Sequence, residues 1–207
     1  MRNLIIGALL AVQAAAASAG GSATITCGNA APGVYNNGQA PLLHIHYSTP
    51  LVDQKMPALF WLGVLSPNQK NGAVLTDKGW MNYEGGLYPF LYKWGAGLYG
   101  TTDQGLPPSI SLTIPIPGGA MTTGGFVGFT VYAGHGVYTK AAQEMVANRR
   151  AMLNEMKPAR VAAGTWRTEY ESDDLMIWSL AQKDGIDNQK GGAMITVPFI
   201  DCTLPQN

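Results

Sequence analysis

Residues 109–116 have the sequence SISLTIPI, in which an isoleucine or leucine occupies every second position. A period of two places these apolar side chains on one face of a β-strand and the serine and threonine side chains on the other. We therefore expect one face of the strand in the core and the other in solvent. Pro115 and Pro117 predict that the strand ends at a sheet edge, since proline cannot donate to a ladder.

Further segments on both sides of this strand have β character. They are residues 23–27 (ATITC), 42–47 (LLHIHY), 57–65 (PALFWLGVL), 73–76 (AVLT), 126–133 (FVGFTVYA) and 193–199 (AMITVPF). Asn71-Gly72 favours a hairpin between the third and fourth of these. Short strands divided by Gly-rich and Asn-rich turns predict a mainly β fold, an immunoglobulin-like β-sandwich. A jelly roll or a small barrel is the structural alternative.

The hydrophobic period changes between the last two predicted strands. Thr139 is placed to cap a helix that Pro158 would end, and its apolar residues recur at helical spacing. The predicted buried stripe consists of Ala142, Met145, Val146, Met152, Leu153 and Met156. Ser172 is expected to cap a second helix that ends near Gly185. The sequence thus predicts a two-helix insertion at about 139–185 within a single domain, residues 20–207.

The first nineteen residues have the three-part layout of a secretory signal peptide. Arg2 supplies a positive start, residues 4–12 are apolar, and Ala17-Ser18-Ala19 provides small residues for cleavage after Ala19. The apolar run is far shorter than the ~18–20 residues of a membrane span. We therefore expect an exported protein located in the periplasm, on the outer cell surface or outside the cell, with no transmembrane segment after signal cleavage.

The chain has two cysteines, Cys27 and Cys202, one near each end of the predicted mature protein. Exported proteins use cysteine mainly for disulfides, because their compartments oxidise thiols. A Cys27–Cys202 disulfide is therefore expected, with two free buried thiols as the alternative. No CxxC spacing indicates a redox or zinc motif.

The charge composition argues against nucleic acid as a partner. The chain has 13 basic and 13 acidic residues, and charged residues are 13% of the total. This share is well below the ~25% of an average soluble domain. A balanced, weakly charged surface produces no field that would attract nucleic acid or anionic lipid.

Three segments resemble a known type of module. They are residues 60–86 (FWLGVLSPNQKNGAVLTDKGWMNYEGG), 111–117 (SLTIPIP) and 131–145 (VYAGHGVYTKAAQEM), followed by the closing AMITVPF strand. Their order resembles an immunoglobulin-like or fibronectin-like module of exported Gram-negative surface and pilus-associated proteins. The resemblance covers roughly residues 58–199 and departs at an insertion over 148–191. It implies the fold and a role in the cell envelope, and it assigns no functional residues.

Three histidines form a candidate metal site. His44 and His46 lie two positions apart on a predicted strand, so that their imidazoles point the same way. His135 could supply a third ligand for zinc or copper if its loop folds nearby. The alternative is a pair of surface histidines on the solvent face of the strand.

Acidic residues near the second predicted helix form a candidate calcium site. They are Glu169, Glu171, Asp173, Asp174, Asp184 and Asp187, with the amide of Asn188. Their spacing differs from that of an EF-hand loop. The alternative is favourable electrostatics at a helix start together with a solvated turn.

Aromatic residues are concentrated between positions 80 and 99. They are Trp80, Tyr83, Tyr88, Phe90, Tyr92, Trp94 and Tyr99. Tryptophan and tyrosine offer large contact areas at low entropic cost, so this band is a candidate contact surface for proteins or glycans. Burial in the core is the alternative.

No catalytic motif is present, and no cofactor is predicted. The sequence lacks a G-x-S-x-G elbow, an H-E-x-x-H pair, a P-loop and a dinucleotide fingerprint. We therefore predict a non-enzymatic structural or interaction subunit of a pilus, surface filament or other envelope assembly. Its partners would be other protein subunits or copies of itself. The alternative is a periplasmic or secreted protein that binds a small ligand, a metal or a glycan.

Overall fold

The computed structural model describes residues 19–76, 79–83, 93–94, 105–117, 121–168, 170–171, 179 and 186–204. The strands are β1 (Gly20–Cys27), β2 (Pro41–Ser48), β3 (Ala58–Leu65), β4 (Gly72–Thr76), β5 (Gly79–Asn82), β6 (Lys93–Trp94), β7 (Ser109–Pro115), β8 (Thr130–Tyr138) and β9 (Ile186–Thr196). Helix α1 spans Lys140–Ala162, and short 3-10 turns lie at Leu51–Asp53 and Gly124–Phe126. Most of the predicted signal peptide, residues 1–18, falls outside the described residues.

The strands form two antiparallel sheets, as in a β-sandwich. One sheet has the order β1-β2-β7, and the other has the order β5-β4-β3-β8-β9, with β6 paired to the start of β3. Strand β7 is an edge strand of the first sheet, as Pro115 predicted. The mainly β prediction is confirmed at this level.

The core lies between the two sheets. It consists of every second side chain along the strands, the ones that point inward. On β2, Leu43, Ile45 and Tyr47 are buried, while the intervening side chains are partly or fully exposed. On β3, the inward series includes Phe60 and Leu62. Burial of each such side chain stabilises the fold by about 1.5–3 kcal/mol. The alternation predicted for β2 and β7 is confirmed.

Two glycines let β1 and β9 approach closely and close one side of the sandwich. A Cβ atom added to Gly21 would lie 2.5 Å from the carbonyl oxygen of Gly192, and one added to Gly192 would overlap the ring of Tyr47. Only residues without side chains fit there, which is a known use of glycine within strands.

The predicted disulfide is confirmed. Cys27 ends β1 and is bonded to Cys202, with 175 residues of separation along the chain and both residues fully buried. The backbone N–H of Cys202 donates to Met121 O (2.8 Å), and its carbonyl accepts from Gly38 N (3.1 Å). The bridge therefore joins the first strand to the closing segment of the chain.

Helix α1 corrects two predictions. It continues through Pro158 to Ala162 and ends where Gly164 adopts φ +67°. Pro158 is tolerated because Asn154, whose carbonyl loses its N–H partner, is exposed to solvent. The buried strip is also narrower than predicted, since Met145 is 49% exposed and Met152 is 42% exposed. The side chains of Ala142, Val146 and Leu153 are the buried ones.

Two helices were predicted for the insertion, and the described part of the chain contains one α-helix there. Helix α1 does lie between β8 and β9, where the insertion was expected. The second predicted helix falls on residues 172–185, of which only Ser179 is described. In the described ranges, no helix combines the length and the hydropathy that a membrane-spanning helix requires.

Two strand boundaries were also predicted wrongly. Residues 126–129 precede β8 because Gly124–Phe126 forms a 3-10 turn and Gly128 has φ +80°. Strand β9 runs over Ile186–Thr196 and stops before Pro198, whereas the prediction placed it at 193–199. In both cases a nearly continuous apolar run hid the point at which the backbone changes conformation.

Removal of the disulfide should destabilise the fold strongly. In the double variant Cys27→Ala, Cys202→Ala, the unfolded chain regains the freedom of a 175-residue loop, which corresponds to about 5 kcal/mol on the chain-entropy argument. Urea unfolding of this variant and of the oxidised parent measures the difference. Equal unfolding free energies would show that the bridge contributes nothing to stability.

Candidate functional site

Four polar side chains from different elements meet inside the sandwich. Tyr47 lies on the inward face of β2, and His135 lies on the inward face of β8, directly opposite Phe60 of β3. Asp53 ends the 3-10 turn that connects β2 to β3, and Lys190 lies on β9 opposite His135. Tyr47, Asp53 and His135 are at most 3% exposed. We call these four residues the buried polar chain.

Hydrogen bonds run through the buried polar chain from one sheet to the other. The hydroxyl of Tyr47 bonds Nδ1 of His135, and Nε2 of His135 lies 2.9 Å from Oδ2 of Asp53. The ammonium of Lys190 donates to the same Asp53 oxygen at 2.8 Å. Three of the four groups are buried, so these bonds satisfy atoms that have little access to water.

The hydrogen bonds assign the tautomer of His135. An ionised carboxylate can only accept, so Nε2 of His135 carries the proton and donates to Asp53. Nδ1 is then the acceptor, and the hydroxyl of Tyr47 donates to it. A neutral imidazole therefore uses both of its nitrogens, and this assignment follows from the network of partners.

Burial and partners shift the pKa values of these groups in a consistent way. Burial lowers the pKa of His135 below 6.5, although the bond to Asp53 acts in the opposite direction. Burial alone would raise the pKa of Asp53, but hydrogen bonds from Lys190 and His135 outweigh it, so this pKa lies below 3.8. Burial raises the pKa of Tyr47 well above 10. At neutral pH the buried polar chain therefore contains a neutral histidine beside an Asp–Lys ion pair.

The structure does not bring the three histidines together. His44 and His46 lie on the opposite face of β2 from Tyr47, the residue that contacts His135. His44 bonds the hydroxyls of Thr26 (2.6 Å) and Thr113 (3.0 Å), and His46 bonds Ser111 (3.1 Å). Across the described ranges, no group of three His, Cys, Asp or Glu side chains could hold a metal ion.

Most of the predicted calcium ligands fall outside the described residues. Glu169, Asp173, Asp174 and Asp184 are among these, as is the side chain of Asn188. The side chain of Glu171 is 8% exposed and forms an ion pair with Arg160, after the end of α1. Asp187 is exposed on β9.

The aromatic band is described only in part. Trp80 is half-buried on β5, and its ring N–H donates to the carbonyl of Pro115 at 3.2 Å. Tyr83 is exposed just after β5. Tyr88, Phe90, Tyr92 and Tyr99 fall outside the described residues, as does the side chain of Trp94.

A surface that the sequence did not reveal lies on the outer face of the larger sheet. Cross-strand pairing aligns one residue from each of five strands in a single row. The row is Met81, Val74, Gly63, Tyr132 and Met194, in spatial order. None of the five carries a charge, and Met194 is 64% exposed. We call this set the outer row.

The outer row continues into equally uncharged neighbours. The adjacent row consists of Gly72, Leu65, Thr130 and Thr196. On the other side, Trp61 lies against Gly134, where an added Cβ would come within 2.7 Å of the indole nitrogen. Only the sheet register reveals this surface, because its members come from strands distant in sequence.

A cleft of about 380 Å³ opens at the β4–β5 end of the sandwich. Its lining includes Trp80, Phe126, Phe129, Val64, Asn71 and Asn82. Phe126 and Phe129 pack edge to face, with ring centroids 5.5 Å apart. We call this the aromatic cleft; apolar walls with a few amides are typical of small-ligand sites.

Comparison of the chain with protein-family models, with curated proteins and with solved structures finds no match.

Loss of the Tyr47 hydroxyl should weaken the fold. The Tyr47→Phe variant leaves Nδ1 of the buried His135 without its donor, a loss that typically costs about 1–3 kcal/mol. Chemical unfolding at neutral pH measures it. The matched control is Tyr132→Phe on the outer face, which should change stability by less than about 0.5 kcal/mol. Equal effects of the two variants would contradict the role assigned to Tyr47.

Proposed function

We propose that this chain is an exported, non-catalytic β-sandwich subunit that acts through protein–protein contacts. The assembly would be a pilus, a surface filament or another structure of the cell envelope. The partners would be other subunits or copies of the same chain. The outer row is the observation that carries this proposal.

The shape and composition of the outer row suit a protein interface. Strands lie about 4.8 Å apart, so a row across five strands extends roughly 19 Å. The centres of protein interfaces are depleted of charge and enriched in aromatic residues and methionine. Met81, Tyr132 and Met194 provide such side chains on an open sheet face, with Trp61 beside them.

The position of the titratable groups supports a non-catalytic role. His135 and Tyr47 are fully enclosed, and Asp53 is 3% exposed, so no substrate could contact them in this conformation. His44 and His46 are occupied by neighbouring hydroxyls on the smaller sheet. The buried polar chain therefore has the character of an internal structural element.

Export is supported by the disulfide together with the signal-like start of the chain. A bridge between Cys27 and Cys202 requires an oxidising compartment to form and persist. Within this proposal the sandwich has the immunoglobulin-like type that the sequence resemblance implies, with a helical insertion before its last strand. The proposed role is analogous to that of surface and pilus-associated modules of exported Gram-negative proteins, which the sequence resembles.

Charge placed on the outer row should weaken assembly. We expect the double variant Tyr132→Glu, Met194→Glu to weaken self-association or subunit binding roughly 30-fold or more, because a carboxylate would be desolvated at the interface. Analytical ultracentrifugation and electron microscopy of the mature protein measure this effect. The control is Met152→Glu on α1, an exposed methionine outside the row. A parent protein that stays monomeric alone and with envelope extract, with no filaments, contradicts the proposal.

The native protein should lack the signal peptide and should have no free thiol. Intact-mass analysis of material from the producing cell is expected to give a chain that starts at Gly20 and is two hydrogen masses lighter than the reduced form, since Cys27 and Cys202 are bonded. Thiol alkylation before and after reduction provides the control. A full-length chain with both cysteines alkylated without reduction would refute export.

Ligand binding is the second candidate function, and the aromatic cleft is the observation that favours it. A glycan or a small apolar ligand could stack on Phe126 and Trp80 and bond the amides of Asn71 and Asn82. Glycan-array screening of the parent and of Phe126→Ala tests this role, with Phe199→Ala as an exposed phenylalanine control. Absence of binding by the parent, or equal binding by both variants, removes the cleft from consideration.

A further inference from the structure

The short turn between β2 and β3 places apolar side chains in water and an acid in the core. Leu51 is 77% exposed and Val52 is 69% exposed, whereas Asp53 is 3% exposed. This inverts the usual preference of these residue types. Within Leu51–Asp53, apolar burial therefore does not hold the chain in place, and Asp53 is the residue of this turn whose side chain reaches the core.

A second segment packs on this turn through the backbone. Lys55 N donates to Leu106 O (2.8 Å), Leu106 N donates to Met56 O (3.0 Å), and Thr49 N donates to Pro108 O (2.9 Å). Residues 49–56 and 105–108 thus form one unit, which we call the latch segment. Leu106 anchors this segment in the apolar core, and its polar side-chain connection to the large sheet runs through Asp53 to His135 and Lys190.

We propose that the buried polar chain is an acid-sensitive latch: it fastens the latch segment to both sheets at neutral pH and releases it locally in mild acid. The motion would leave β1 and β2 paired, since their ladder and the disulfide do not involve His135.

The arrangement of groups around His135 explains why a proton opens the latch. Tyr47 faces it from β2, Asp53 faces it from the turn and Lys190 faces it from β9. Phe60 is its partner on β3. A protonated His135 would be a second cation beside Lys190, and the Asp53 carboxylate would be the only anion for both among these four groups. It would also turn Nδ1 into a donor, so the hydroxyl of Tyr47 would lose its acceptor.

The direction of the pH effect follows from linkage. The closed state holds His135 neutral with a pKa below 6.5, while the open state titrates near 6.5. The open state therefore binds more protons below pH 6.5, and each unit of acidification shifts the equilibrium toward opening by up to tenfold. The effect is absent above pH 6.5 and is complete below the pKa of the closed state. Protonation of Asp53, whose pKa is also lowered, adds to opening only below pH 3.8.

Hydrogen exchange followed by mass spectrometry tests the latch on the mature protein. After correction for intrinsic rates, protection of residues 49–56 and 105–108 should fall about tenfold or more between pH 7 and pH 5. Protection of β1 and β2 should remain unchanged. Uniform protection at both pH values, or a uniform loss across all strands, would overturn the proposal.

Two variants separate His135 from the other histidines. In His135→Gln, the side-chain amide can donate to Asp53 and accept from Tyr47 but cannot gain a proton, so the pH dependence should disappear. The double variant His44→Gln, His46→Gln should retain the full dependence. The opposite pattern contradicts the latch. If His135→Gln does not fold, NMR titration of the parent decides: the His135 ring must protonate together with local exchange, below pH 6.5.

Discussion

Complete hydrogen bonding of one buried imidazole is the constraint on which the rest of the structure depends. His135 lies between two sheets with no access to water, so both ring nitrogens require partners there. Tyr47 supplies one from the smaller sheet, and Asp53 supplies the other from the turn that connects the sheets. Lys190 then balances the carboxylate. These directional bonds hold the two sheets in one relative position, a specificity that non-directional apolar packing alone does not provide.

The molecule combines this polar interior with an uncharged exterior on one face. The ionisable groups nearest the centre bind one another, while Met81, Tyr132 and Met194 lie on the open face of the larger sheet. Exposed apolar side chains in a row are the kind of surface that proteins use for contacts, and this is the basis of the proposed function. The disulfide adds a covalent tie between β1 and the closing segment that contains Cys202. The proposed function as an assembly subunit thus assigns stability to the interior and contacts to the outer row.

Local patterns predicted the parts of the fold that depend on local sterics. The alternation in residues 109–116 and 42–47 identified two strands and their inward faces, and the positions of Cys27 and Cys202 indicated their pairing. Prediction was wrong at the start of β8 and the end of β9, where apolar runs lack a period. It was also wrong for Met145 and Met152 on α1, which have helical spacing and are nevertheless exposed. An apolar run without a period shows that its residues are hydrophobic but does not show where a strand begins or ends. Pro158 predicts a helix stop, but α1 continues to Ala162 without the one backbone hydrogen bond that proline removes.

The sequence by itself determined the strand periodicity, the mainly β class and the one possible disulfide pair, because these properties depend on neighbouring residues or on a count. Tertiary structure alone decided which histidine is buried, where Asp53 and Lys190 meet and which side chains form the outer row. The alternation of residues 42–47 places His44 on the outward face of its strand, whereas His135 has no local signal that predicts its burial. Their environments follow from the register of β2, β3, β8 and β9, which is set by contacts between residues as many as 137 positions apart.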